Sequence, residues 1–151
     1  MRKNRIISYS LGLGLLAIGL TAIAEENKVP PLTDAEYQTL VKSYNKGNDC
    51  VFSRSINSWT ILDDKSLILY APTKKKPYYV KLNMRSFELK FAHAIGIYSK
   101  FDNRFCPYGG NALFIDGTKY SISAIKKIDE EMAKRLIAHT KQKESEKTEG
   151  A

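Results

Sequence analysis

Between Cys50 and Ser123 the side chains change character every second residue, a period that belongs to strands and not to helices. Val51, Ser53 and Ser55 alternate with Phe52, Arg54 and Ile56, and Trp59 and Ile61 continue after Asn57-Ser58. Asp63-Asp64-Lys65-Ser66 forms a turn cluster, and Leu67 to Tyr70 reads as a short strand. Ala71 to Pro77 is a hairpin-length loop bracketed by Pro72 and Pro77. Beyond it, Tyr78, Val80 and Leu82 alternate with Tyr79 and Lys81; Phe87, Leu89 and Phe91 do the same against Glu88 and Lys90, and Ile95 and Ile97 extend the pattern. Asp116-Gly117, a dipeptide suited to a tight hairpin, joins Asn111–Ile115 to Tyr120–Ile122. Short strands at this spacing predict a meandering antiparallel sheet, bent or closed into a small barrel.

Helical periodicity flanks that region on both sides. Thr33-Asp34-Ala35-Glu36 is a capping box, followed by Tyr37, Leu40, Val41 and Tyr44 on one stripe and by a Lys46-Gly47 stop. The period returns at Ile125, Ile128, Met132 and Leu136, with Asp129-Glu130-Glu131 at the start and Lys134-Arg135 later. The fold class expected is mainly β (α+β), one domain over residues 33–140 with N- and C-terminal helices. Residues 25–32 form an extended lead-in, and residues 141–151, charged and poor in apolar side chains, are expected to be disordered.

The start of the chain has a different logic. Met1-Arg2-Lys3-Asn4-Arg5 is basic, Ile6 to Leu20 is largely apolar, and Thr21-Ala22-Ile23-Ala24 puts small residues where a signal peptidase reads. The apolar run is shorter than the roughly 20 residues a membrane span needs. Residues 1–24 are therefore expected to be a cleaved secretory signal, leaving no transmembrane anchor and placing the protein in the periplasm or outside the cell. Cleavage after Ala24 removes Arg2, Lys3 and Arg5 and no acid, lowering the formal charge from +8 to +5. A mildly basic balance of this kind favours anionic neighbours and does not by itself imply nucleic acid, which is not the expected partner.

Cys50 and Cys106 are the two cysteines of the chain. An even count in an oxidising compartment argues for one bridge, worth on the order of 4 kcal/mol in the chain-entropy model. Two Cys and two His offer no evident closed zinc site, so neither metal nor cofactor is expected.

One stretch resembles a known family. Cys50-x5-Ile56-x2-Trp59-x2-Leu62-Asp63-Asp64-x2-Leu67, then Tyr78-Tyr79-Val80-x-Leu82, then Arg104-x-Cys106-x2-Gly109-Gly110, is similar to small exported proteobacterial proteins of unknown function. The similarity spans roughly Cys50 to Ile128. It implies the same compartment and the two-cysteine pattern, and no reaction. An acidic residue often follows the glycines in that family; Asn111 stands there in this chain, which speaks against a catalytic or metal role for the position.

Few residues offer chemistry. Asp63-Asp64 suits a turn better than acid–base catalysis, because adjacent strand residues face opposite ways. His93 sits among apolar residues in Phe91-Ala92-His93-Ala94-Ile95; an envelope-associated hydrolase or metal-dependent enzyme would need it beside a carboxylate. Neither a G-x-S-x-G elbow nor a P-loop is present. The most functional-looking surface is Lys74-Lys75-Lys76-Pro77-Tyr78-Tyr79, where three ammonium groups beside aromatic rings could meet the phosphates of an anionic surface. A solubilising guard for a sheet edge is the plainer reading of the same lysines. The expected function is a non-enzymatic binding module whose partner, an envelope component or protein, the sequence leaves unnamed.

Overall fold

A computed structural model describes residues 29–100 and 103–150. The expected signal at residues 1–24 and residues 25–28 of the lead-in lie outside the described residues.

Helix α1 spans Asp34–Tyr44 and opens on the expected box: the Glu36 amide donates to Thr33 Oγ1 at 3.3 Å, and the Thr33 amide donates to Glu36 Oε2 at 2.8 Å. Gly47 ends the turn for a steric reason. A Cβ there would stand 2.5 Å from the Ile125 carbonyl oxygen, so only glycine lets the chain pass so near the sheet.

Eight strands follow: β1 (Val51–Phe52), β2 (Ser58–Ile61), β3 (Ser66–Tyr70), β4 (Pro77–Leu82), β5 (Ile95–Tyr98), β6 (Arg104–Phe105), β7 (Ala112–Ile115) and β8 (Thr118–Lys127). Six of them form a curled antiparallel half-barrel in the order β2-β3-β4-β8-β7-β5, while β1 and β6 pair separately. The β7–β8 turn has the predicted chemistry, with Asp116 and Gly117 at φ 47° and 85°. Along β3, Leu67 and Leu69 enter one core, whereas Ile68 and Tyr70 enter another. The first core runs from Trp59 and Ile61 on one edge strand to Ile95 and Ile97 on the other, so the sheet wraps around it. A bulge opposite Lys81/Leu82 adds Ser123 to β8 and keeps Tyr120, Ile122 and Ile125 all facing this inner core. Ser123 Oγ donates to the Lys81 and Leu82 carbonyls at 3.1 and 3.3 Å, satisfying groups the bulge disrupts.

Helix α2, Glu130–Glu149, is capped by Asp129, whose Oδ1 accepts from the Met132 amide at 2.7 Å. Its Ala133, Leu136 and His139 join Tyr37, Leu40 and Tyr44 of α1 against Ile68, Tyr70 and Tyr79, building the outer core. Each fully buried Leu or Ile in these cores contributes about 2 kcal/mol.

Four local expectations need correction. The alternation from Val51 to Ile56 is broken after β1, because Ser53–Ser55 forms a 3₁₀ turn. Phe87-Leu89-Phe91 is not a strand: Glu88–Phe91 forms a 3₁₀ turn that buries Leu89 and leaves both phenylalanines outside. Ile125 belongs to β8 and Ile128 to the link after it, because β8 is longer than expected and the helix begins only after Asp129. Residues 141–149, expected to be disordered, are helical. Lys, Gln and Glu are good helix formers, and Lys143 Nζ reaches Asp34 Oδ2 at 2.7 Å, tying this end of α2 to the start of α1.

Candidate anionic-surface site

The lysine loop is the turn of the β3–β4 hairpin. Tyr70 pairs with Pro77, the Ala71 amide donates to the Lys76 carbonyl at 3.2 Å, and the Lys76 amide donates to the Thr73 carbonyl at 3.0 Å. Asn57 Nδ2 also donates to the Pro72 carbonyl, which moors the loop to the residue before β2. The backbone is thus held by its own polar groups, and Lys74, Lys75 and Lys76 are all exposed. No carboxylate among the described residues forms an ion pair with any of the three. Glu130 feels one of them: Lys134, at 2.8 Å, and more weakly Lys75 hold its carboxyl below the usual range.

Two further lysines stand near the base of the hairpin, on opposite faces of the sheet. Lys127 and Lys126 end β8 directly across from Tyr78 and Tyr79, and both are exposed. Asp49 braces this corner, accepting from the Lys127 amide at 2.8 Å and lying 3.6 Å from Lys126 Nζ. Nothing in the sequence pattern places Lys126-Lys127 near the base of the hairpin; only the β4–β8 register does. Their position at the end of a strand with tyrosines opposite becomes legible once that pairing is known.

The two tyrosines part company. Tyr78 is half-buried and packs on the inner core at the base of the loop. Tyr79 is fully buried in the outer core, where its ring lies 5.4 Å from that of Tyr44, and burial pushes its phenol up to about 12. Tyr79 therefore leaves the candidate surface: alternation along β4 sends neighbouring rings to opposite faces.

Cys50 and Cys106 form the expected disulfide, with Cα atoms 4.4 Å apart, just before β1 and just after β6. Asn111 closes the neighbouring loop. Its NH₂ shares two hydrogens among the carbonyls of Arg104, Cys106 and Tyr108 at 3.2, 3.1 and 3.1 Å, and its Oδ1 accepts from the Lys100 amide at 2.9 Å. A carboxylate could not make those donations, so this position is committed to holding the loop.

The profile of a family of unknown function, DUF6491, matches residues 4–144. The chain belongs to that family. No curated protein and no solved structure matches it.

The other candidates in this DUF6491 member are scattered. His93 is exposed between the 3₁₀ turn and β5, and among the described residues no carboxylate meets its ring, so the His–carboxylate arrangement of the enzyme reading is not assembled among them. Among the described residues no group of three or more His, Cys, Asp or Glu could hold a metal ion. Asp63 serves its turn: Oδ1 accepts from the Lys65 amide at 2.7 Å and Oδ2 from Ser66 Oγ at 2.7 Å. His139 has a role that no sequence signal announces. Only 6% exposed, it donates through Nδ1 to the Leu32 carbonyl at 2.8 Å and stacks on Tyr37 at 4.4 Å, fastening the lead-in to α2. No helix among the described residues is long and apolar enough to cross a membrane.

Proposed function

We propose that this DUF6491 member is an exported, non-enzymatic binding module that attaches to anionic surfaces through the hairpin Lys74–Lys76, with Lys127 beside it. The observation that carries this reading is the loop's construction. Its backbone is closed by internal hydrogen bonds, while three neighbouring ammonium groups stand exposed with no carboxylate within ion-pair distance among the described residues. A loop held in this way loses little conformational freedom when it binds, so its charges act at low entropic cost. Prolines at positions 72 and 77 restrict it further. Export is supported by the basic, apolar and small-residue blocks of Met1–Ala24 and by the Cys50–Cys106 bridge, a bond that persists in oxidising compartments.

Two measurements test the reading. Mass spectrometry of the periplasmic or secreted fraction should find a chain beginning at Glu25, and an intact Met1 terminus on membrane-bound protein would overturn the export claim. Binding to polyphosphate-coated beads, a lipid-free polyanion, should weaken more than about tenfold between low and high salt, because exposed charges are screened over about 8 Å at physiological ionic strength. Salt-independent retention would refute attachment by charge.

A further inference from the structure

The segment that leaves the other end of β4 has the opposite character. Residues 83–94 cross from Leu82 to the start of β5, and within eight residues they expose Met84, Phe87 and Phe91 at 59%, 75% and 77%. These side chains are not loose ends of an unformed loop. Leu89, between the two phenylalanines, is completely buried in the inner core. Ser86, also completely buried, accepts from the Leu89 amide at 3.1 Å, and the Ser86 amide donates to the Asp64 carbonyl at 2.7 Å. Glu88 is drawn back toward the body: its Oε2 accepts from Tyr120 Oη at 2.7 Å and from Ser86 Oγ at 3.1 Å. The one acid of the segment is therefore turned toward the sheet, while Lys90 and Arg85, whose Nε lies 3.7 Å from Asp64 Oδ2, are exposed beside the apolar side chains.

We propose that residues 83–94 form a bilayer-contacting loop, in which Met84, Phe87 and Phe91 enter the headgroup region of a phospholipid membrane and Arg85 and Lys90 meet lipid phosphates. Charge complementarity favours lipid over a protein partner. Cations beside apolar side chains suit the membrane interface, where stems lie along the apolar boundary and charged heads reach phosphate. This surface is separate from the lysine hairpin, since β4 stands between them and spans roughly 17 Å.

The test uses phosphatidylcholine vesicles, which carry no net charge, and protein recovered in the form the cell accumulates. Wild-type protein should co-sediment with them and remain bound in high salt. The double variant Phe87→Ser/Phe91→Ser should lose binding by more than about tenfold, with an unchanged melting curve because both rings lie outside the core. A Phe87→Trp variant should shift its emission to the blue on vesicles and be quenched by brominated phospholipid. Replacement of Lys74, Lys75 and Lys76 by Ser should alter none of these readings, which separates the fate of this loop from that of the hairpin. The proposal is overturned if wild-type protein ignores the vesicles, if the double variant binds as wild type does, or if the emission of the Phe87→Trp variant does not respond. It is equally overturned if the double variant converts a lipid-free dimer to a monomer, because the loop would then be an interface between copies.

Discussion

The loops at the two ends of β4 are both exposed, yet they are built on different principles. Residues 71–76 are closed by backbone hydrogen bonds, such as Ala71 to Lys76 at 3.2 Å, and send their three lysines outward. Residues 83–94 are pinned by side chains, with Leu89 inside the core and Ser86 and Glu88 bonded beneath the turn, and expose rings. A tight hairpin closed by its own main chain leaves its side chains free for charge. A longer crossing must sink an apolar anchor, and what it leaves outside is available for a different partner. The half-barrel thereby separates a cationic end from an apolar end along one strand.

The largest expected effect concerns the frame shared by both ends. Replacing Cys50 and Cys106 by Ser opens a loop with a sequence separation of 56 and should cost about 4 kcal/mol of stability. Thermal unfolding with and without reductant checks it, and equal melting temperatures would remove the bridge from the account.

The next effect contrasts the loops directly. Leu89→Ala should destabilise by about 3 kcal/mol through the cavity it leaves, read by urea unfolding. Lys75→Ser should stay within about 0.5 kcal/mol, as exposed substitutions do. Similar costs for the two would break the distinction between a side-chain anchor and a main-chain closure.

A third effect sharpens the contrast between the helix-covered outer face and the open ends. Burial raises the phenols of Tyr79, up to about 12, and of Tyr37, where the Asp63 carboxylate adds to the rise. A folded value above the unfolded one means that the stabilisation is complete below about pH 10 and is lost as pH climbs through the folded value. Stability at pH 11 should be lower than at pH 8 by about 1 kcal/mol from Tyr79 alone, and Tyr79→Phe should flatten that decline. An undiminished decline in the variant would place the titration elsewhere.

What could be read from the sequence follows from how local each signal is. Asp116-Gly117 and Thr33-x-x-Glu36 state their geometry within two to four residues, and both appear as expected. Phe87-Glu88-Leu89-Lys90-Phe91 misleads because alternation is also what a short turn shows when one residue points inward and its second neighbours point outward. The cue that separates the two is Ser86, whose side chain accepts from an amide three residues on. The cationic patch is half legible. Lys74–Lys76 are consecutive, but Lys127 arrives through strand pairing over some fifty residues. The roles of Tyr79 and His139 are hidden for the same reason: each is decided by the packing of a helix against a distant segment.

On the proposed function, the hairpin end binds by charge and needs none of its lysines to fold. Polyphosphate-bead binding by wild-type protein and by the Lys74→Ser/Lys75→Ser/Lys76→Ser variant at low salt tests it most directly, with a melting curve for each. The variant should lose the beads by more than about tenfold while its stability stays within about 0.5 kcal/mol of wild type. Equal retention of the two proteins would contradict it and reduce the hairpin to a solubilising tip.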